Sequence, residues 1–313
     1  MSMQSTKAQH YVPRLYLKQW ADEDEKIWCL DREKNNIFNS NIMGVAQQRF
    51  FYEIKQLRNE DFVILEKLWV DNRPELLHNV NKGIIDDFKK VNDLLNVLDS
   101  TQNVEAKKLK DYAEKNLVEK MFASYEGQYL SLISDILATR IPYWNEDAQM
   151  NFLFFLNLQY FRTKNISDNL LESIKKMPNP AQFDGFIERA MNPMRWLMAN
   201  TVTYNSLVRR KIVFIENKST LDFITTDQPV INVYAAFGKS AVEMSEDELE
   251  LYCPLSPQKA VLVSFKDCYT DMSCISASEK EVKIYNDTLV KCSNRFVFSK
   301  DEEGLGPWLE ENQ

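Results

Sequence analysis

Only two histidines occur in the chain, His10 and His78, and His10 lies in the sequence His-Tyr-Val-Pro at residues 10–13. The pKa of an unperturbed imidazole is about 6.5, so a histidine can take up and release a proton near neutral pH. We therefore predict that His10 is a general acid or base in a reaction. The alternative is a structural imidazole that caps a helix or bonds to the backbone.

Asp227 is the carboxylate that we expect to act together with His10. It follows a predicted strand over residues 223–226 and precedes Pro229, and side chains at strand ends often point into a cleft. We predict that Asp227 is catalytic and orients the histidine or a divalent metal ion. Alternatively, its carboxylate accepts hydrogen bonds from nearby backbone N–H groups in an Asx-type turn.

Two arginines and a glutamine are the candidate binding residues. Gln159 and Arg162 are three positions apart on a predicted, nearly all-apolar helix over residues 150–163, so they share one of its faces. A buried guanidinium needs an anionic partner, either a bound phosphate or carboxylate or, as we favour, Asp227 in a salt bridge. Arg14, four residues after His10, is either a second cation of the site or a solvated surface arginine.

A second pair of candidate residues occurs at Arg73 and His78. Their spacing resembles the short motif of helical HEPN ribonucleases, in which both side chains face a scissile phosphate. Pro74 restricts Arg73 to a conformation that precedes a helix. An ordinary helix start is therefore the interpretation that we favour.

The glycine and cysteine patterns exclude several kinds of cofactor site. The chain has 7 glycines and no GxGxxG or GxxxxGKS sequence, so we expect no nicotinamide or flavin site and no P-loop. No CxxC pair occurs among the five cysteines, and Cys268 and Cys274 have no histidine nearby, so we expect no structural zinc. Cys29, Cys253 and Cys292 fall on predicted apolar faces and are expected in the core. Use of a divalent metal stays open.

Charge and hydropathy limit the partners and the location. The net charge of −8 opposes non-specific coating of nucleic acid, although a local basic patch stays compatible with it. The most apolar stretch, residues 152–158, is far shorter than the roughly 20 residues that span a membrane. The N-terminal residues lack the apolar core of a signal peptide, and an odd number of cysteines indicates reduced thiols. We expect a cytoplasmic protein with no membrane segment.

The elements that must position these residues form three regions. Residues 1–58 predict a short helix after Pro13 and a β-hairpin, residues 59–205 predict a helical block, and residues 206–313 predict a sheet with one helix over 279–292. Asn145 is expected to cap the helix that carries Arg162. A hairpin cannot bury its apolar residues alone, so we predict that it pairs with the C-terminal sheet. The fold class is α+β, most simply one intertwined unit.

Several segments together resemble the family catalogued as domain of unknown function 4238. They are the His-Tyr-Val-Pro sequence at 10–13 with Tyr16 and Leu17, the Gln159/Arg162 helix, residues 223–230, the Pro-Leu-Ser-Pro sequence at 254–257, and residues 286–299. Thr226 replaces the usual serine, and Gln228 stands where asparagine is common. The resemblance covers essentially the whole chain and implies a fold that microbial proteins share. It implies no reaction.

Three functions are compatible with these patterns. The first is a phosphodiester- or nucleotide-directed enzyme, such as a defence or toxin effector, with His10 and Asp227 catalytic and Arg14, Gln159 and Arg162 binding the substrate. The second is a binding or partner protein that uses an exposed surface. The acidic run at 243, 246–248 and 250 is its candidate surface for a basic partner. The third is a small-molecule hydrolase or transferase at the same cleft.

Overall fold

The N-terminal region forms a short strand, a short helix and a hairpin. The computed structural model describes residues 7–139, 141–176, 183, 185–207, 210–234 and 249–309. The first elements are β1 (Ala8–His10), α1 (Arg14–Leu17) with a 3₁₀ turn at Lys18–Trp20, β2 (Lys26–Asp31), β3 (Asn36–Asn41) and β4 (Gln47–Arg49). Pro13 precedes α1, where its fixed φ suits a helix start.

In the described part of the middle of the chain, six α-helices follow one another. They are α2 (Asn59–Trp69), α3 (Glu75–Ser100), α4 (Val104–Ala138), α5 (Glu146–Phe161), α6 (Lys164–Lys175) and α7 (Phe186–Ser206). The Asn145 side chain accepts from the backbone N–H of Ala148 over 2.9 Å, so the predicted cap of α5 is confirmed. Helix α5 packs extensively against α7, and its apolar side chains are largely buried, as the all-round apolar pattern predicts.

Strands return in the C-terminal region and enclose one helix. These elements are β5 (Lys211–Asn217), β6 (Thr225–Thr226), β7 (Ile231–Asn232), β8 (Leu251–Ser256), β9 (Lys259–Ser264), β10 (Ser273–Ala277), α8 (Glu279–Cys292) and β11 (Phe296–Ser299). Helix α8 has the predicted bounds, with Ser278 and Glu281 as a capping box.

The two ends of the chain share one sheet, as predicted. Strand β11 pairs antiparallel with β2 of the hairpin on one side and with β6 on the other, giving the order β3-β2-β11-β6. The described residues thus form an α+β fold in which the N-terminal hairpin and C-terminal strands join around the helical block.

The C-terminal strands differ from the predicted single sheet, because they divide between two sheets. A five-stranded sheet has the order β10-β5-β9-β8-β7, whereas β6 and β11 belong to the hairpin sheet. Strand β10 was not predicted and pairs parallel with β5. Its side chains are mostly half-buried, so it lacks the continuous apolar pattern that identified the other strands.

The main core lies between the five-stranded sheet, helix α5 and the N-terminal helix. Trp20 is fully buried and donates from Nε1 to the carbonyl of Phe223 over 2.8 Å. Tyr16 donates from its hydroxyl to the carbonyl of Pro254 over 2.6 Å and lies 2.7 Å from the Thr225 hydroxyl. These long-range bonds attach α1 to the segments at 223–226 and 254–257. Among the described residues no helix has the length and apolar character needed to cross a membrane.

Candidate functional site

His10 lies at the end of β1, where the chain turns into α1. The backbone of β1 pairs with β4, with His10 opposite Gln47, and the next N–H, from Tyr11, donates to the carbonyl of Ala46. The His10 side chain is 9% exposed, and its Nε2 has no hydrogen-bond partner among the described residues. Burial, followed by the nearby Arg14 charge, lowers the pKa of His10, so the imidazole is neutral at pH 7.

Arg162 is the residue that fixes the position of His10. It follows the last turn of α5 and is 3% exposed. Its Nη2 donates to the backbone carbonyl of His10 over 2.8 Å, and its Nε donates to the Tyr52 hydroxyl over 2.9 Å. Its Nη1 forms an ion pair with Glu126 at 2.7 Å. The guanidinium also lies 4.5 Å from the centre of the Phe122 ring, a cation–π contact.

Gln159 holds the next residue of the same segment. It is 3% exposed and donates from Nε2 to the carbonyl of Tyr11 over 3.0 Å. One face of α5 therefore binds two consecutive carbonyls, those of His10 and Tyr11. This arrangement explains why Gln159 and Arg162 are spaced by three residues on an otherwise apolar helix.

Two glutamates of α4 lie beside these residues, and sequence reasoning missed both. We call the group the His10 cluster: His10, Arg14, Glu119, Glu126, Gln159 and Arg162. Glu119 and Glu126 are seven residues apart, which is two helical turns, so they lie on one face together with buried Phe122. Burial raises the pKa of Glu119 to about 7, and the charges of Arg162 and Arg14 limit that rise. The Glu119 Oε2 has no partner in the described ranges.

The signal for these glutamates was present but weak. Glu119 and Glu126 are in register with the apolar stripe that places Phe122 in the core. Two carboxylates seven residues apart beside an aromatic residue differ from the solvated glutamates of α4. The same spacing is common in charged helices, so it was not a specific signal.

Arg14 joins the cluster from the start of α1. Its side chain is exposed and contacts Met43 Sδ. Its charge lowers the pKa of both His10 and Glu119. The structure therefore brings together four of the five predicted site residues, namely His10, Arg14, Gln159 and Arg162.

Asp227 is held elsewhere, by the chain just before β11. It is 1% exposed, and its Oδ1 accepts from the backbone N–H of Asn294 over 2.8 Å. Its Oδ2 accepts from the N–H groups of Arg295 at 2.8 Å and Phe296 at 2.9 Å. Burial raises the pKa of Asp227 to about 6, and the three backbone donors limit that rise.

The predicted salt bridge between Arg162 and Asp227 is therefore not formed. Arg162 pairs with Glu126, and the carboxylate of Asp227 has all its described hydrogen bonds to backbone donors. The carboxylate accepts backbone N–H groups, as the alternative interpretation expected, but these belong to residues 294–296 and do not form the local Asx-type turn. No group of three histidine, cysteine or acidic residues suited to a metal ion occurs in the described part of the chain.

The other candidate residues have structural contacts. Arg73 donates from Nη2 to the carbonyl of Leu68 over 2.8 Å, and the His78 Nδ1 lies 3.2 Å from the carbonyl of Val70. Both side chains thus bind the end of α2, which agrees with an ordinary helix start. Glu250 is 6% exposed and accepts from the Ser264 hydroxyl. It is not part of an exposed acidic surface, and the rest of the predicted acidic run, 243 and 246–248, lies outside the described residues.

A polar pocket of about 340 Å³ lies beside the segment that follows Asp227. Its walls include Gln228, Asn165, Lys291 and Cys292. Burial raises the pKa of the Cys292 thiol to about 11, so the thiol stays protonated and is a poor nucleophile. The pocket offers hydrogen-bonding amides but no proton-transfer pair, so the His10 cluster is the better candidate site.

Comparisons with known proteins identify the family but no activity. A family model described as "Protein of unknown function (DUF4238)" matches residues 8–303 of the 313-residue chain. No curated protein and no solved structure matches the chain. The resemblance that the sequence motifs indicate is thereby confirmed.

Proposed function

The chain belongs to DUF4238, a family of unknown function, so we propose its function from the residues of the candidate site. We propose that it is an enzyme directed at phosphodiesters or nucleotides. In this proposal His10 is the general base and Glu119 is the general acid. The observation that supports it is the pair of buried, unpartnered titratable atoms, His10 Nε2 and Glu119 Oε2, that belong to one cluster. Buried polar atoms normally have partners, so two without any suggest a site for a ligand.

The protonation states suit this division of roles. His10 is neutral at pH 7 because its pKa is lowered, so it can accept a proton. The pKa of Glu119 is about 7, so about half of the molecules carry a protonated carboxyl that can donate at that pH. In the proposed step His10 takes the proton of the attacking hydroxyl or water, and Glu119 protonates the leaving oxygen.

The charge of the cluster suits a singly charged anion. Arg14 and Arg162 contribute two positive charges, and Glu126, paired with Arg162, contributes one negative charge. The cluster stays positive when Glu119 is protonated. A phosphodiester carries one negative charge, and Arg14, the exposed member, is the group that would bind it.

The remaining residues position the reacting groups. Arg162 and Gln159 hold the backbone of His10 and Tyr11, so we assign them a positioning role. Asp227 anchors the chain before β11 and takes no part in the proposed step. Phosphodiester cleavage of this kind would serve a defence or toxin effector.

The test is an activity assay with the chromogenic diester bis(p-nitrophenyl) phosphate, short RNA and DNA, and cyclic nucleotides. His10→Gln and Glu119→Gln should each lower turnover about 100- to 10,000-fold. The matched controls are His78→Gln, which changes the other histidine, and Glu105→Gln, which changes an exposed carboxylate of α4. Both controls should keep wild-type turnover. Absence of turnover by the wild type on every substrate, or full activity of His10→Gln, would refute the proposal.

The pH profile gives a second readout that a structural role would not affect. Turnover should fall below the lowered pKa of His10, where the base is protonated, and above about pH 7, where Glu119 loses its proton. Residual turnover of Glu119→Gln should lack the alkaline limb. An unchanged alkaline limb in this variant would remove Glu119 from the mechanism.

A further inference from the structure

A second pocket, of about 470 Å³, opens between helices α3, α4, α5 and α7. Its volume is within the range of about 300–1,000 Å³ typical of small-molecule sites, and the space between bundled helices is a common location for them. None of His10, Glu119 and Arg162 lines it. We propose that this pocket binds an uncharged, ring-containing small molecule that carries a hydrogen-bond acceptor.

Aromatic side chains form the walls. The rings of Tyr125 and Trp196 make an edge contact with an interplanar angle of 64° and 4.7 Å between centroids, and the Phe154 ring centroid lies 6.1 Å from that of Trp196. Tyr129 extends the same surface along α4. Aromatic faces favour offset or perpendicular contacts with another ring. A flat ring system is therefore the shape that these walls suit best.

An unpartnered donor indicates what the ligand must carry. Trp196 is 3% exposed, and its indole Nε1–H has no acceptor in the described part of the chain. A buried tryptophan N–H usually finds a partner. A carbonyl or ether oxygen on the ligand would supply the missing acceptor. Asn200 and Thr203, which also line the pocket, are one and two turns further along α7.

The charges at the pocket exclude an anion. Among the described residues no lysine or arginine lines it, and one carboxylate, Asp87, does. Asp87 is itself paired with Lys90 at 2.9 Å. An anionic ligand would lose its hydration without gaining a counter-charge, which is strongly unfavourable. The ligand class therefore differs from the anion proposed for the His10 cluster, and the two proposals are independent.

Exposed apolar side chains mark the entrance. Leu76, Val80 and Leu207 line the pocket and remain 59%, 44% and 41% exposed. A ligand that enters here would cover these side chains. Val80 is a suitable place to block the entrance because it lines the pocket and is 44% exposed, so a larger side chain can extend toward solvent.

The first experiment uses two fluorescent probes with the same skeleton, uncharged N-phenyl-1-naphthylamine and its sulfonated analogue 1-anilinonaphthalene-8-sulfonate. The uncharged probe should bind the full-length protein saturably, and the sulfonate should bind about tenfold more weakly or worse. Val80→Trp should weaken the uncharged probe about tenfold by filling the entrance. Val97→Trp, the same change at an exposed position of α3 outside the pocket, should leave binding unchanged.

The second experiment tests the hydrogen bond. Trp196→Phe keeps an aromatic ring and removes the N–H donor. It should weaken the uncharged, carbonyl-bearing probe 6-propionyl-2-dimethylaminonaphthalene about fivefold more than N-phenyl-1-naphthylamine, which lacks a carbonyl.

Any one of three probe-binding results would overturn the proposal. They are equal affinity for the sulfonate and the uncharged probe, unchanged binding in Val80→Trp, and equal losses for the two uncharged probes in Trp196→Phe. Probe binding that weakens as protein concentration rises, together with dimers in sedimentation, would assign the pocket to a second copy of the chain and would also overturn it.

Discussion

Arg162 donates from Nη2 to the backbone carbonyl of His10 over 2.8 Å and joins residues 152 positions apart. The same guanidinium forms an ion pair with Glu126 of α4. Three segments, the N-terminal turn, α4 and the end of α5, thus meet at one buried charge. The position of His10 depends on this contact, because β1 has only three residues.

Truncation of Arg162 should destabilise the protein strongly. Arg162→Ala removes the partner of Glu126 and one donor to the His10 carbonyl, and breaking a buried ion pair costs about 3–5 kcal/mol. The measurement is the free energy of unfolding from urea denaturation. Arg14→Ala, which removes an exposed arginine of the same cluster, should change it by less than about 0.5 kcal/mol. Equal losses for the two variants would contradict the structural role of Arg162.

Replacement of Asp227 should affect stability and not turnover. Asp227→Asn places an NH₂ group opposite backbone donors of residues 294–296, and leaving a buried donor unsatisfied costs about 1–3 kcal/mol. Asp267→Asn, at a fully exposed carboxylate, is the control and should be within about 0.5 kcal/mol of wild type. Turnover per folded molecule should stay at the wild-type value. A selective loss of turnover in Asp227→Asn would restore Asp227 to the catalytic set.

Glu119 should make stability depend on pH. Its pKa is about 7 in the folded protein and about 4.3 in an unfolded chain. Between these values the folded state holds a proton that the unfolded state has released. The contribution of Glu119 to stability is therefore complete below about pH 4.3 and is lost as the pH rises through about 7.

Glu119→Gln removes this dependence. The free energy of unfolding of the variant, relative to wild type, should rise between about pH 5 and pH 8. Comparison of the two proteins at each pH cancels the contributions of His10 and Asp227, which titrate in the same region. A difference that does not vary with pH would show that Glu119 is already ionised in the folded state.

The contact between the two ends of the chain can be tested at Asp31, with Glu33, which binds the same arginine, as the control. Asp31 of β2 is 2% exposed and accepts two hydrogen bonds from Arg295, just before β11, at 2.9 and 2.6 Å. Asp31→Ala should lower the free energy of unfolding by about 1.5–3 kcal/mol. Glu33 contacts the same arginine at 3.2 Å but is 65% exposed, so Glu33→Ala should cost less than about 1 kcal/mol. A larger loss for Glu33→Ala than for Asp31→Ala would contradict the buried pairing of the chain ends.

Local patterns in the sequence determined much of the fold. Helix α8 has its predicted bounds, and Asn145 caps α5, because capping and helical periodicity depend on neighbours within a few residues. The pairing of β2 with β11 followed from a simple requirement, since a lone hairpin cannot bury its apolar face. Strand β10 was missed because it lacks a continuous apolar pattern, and its position depends on pairing with the neighbouring β5.

For the candidate site, the sequence determined which residues share a face, and the tertiary structure decided which charges meet. The spacing of Gln159 and Arg162 placed both on one side of α5. Only the packing of α4 against α5 pairs Arg162 with Glu126, and only the folded chain buries Glu119 beside the His10 segment. Ion pairs and pKa values depend on distance and burial, and contacts between residues dozens of positions apart leave no periodic trace in the chain.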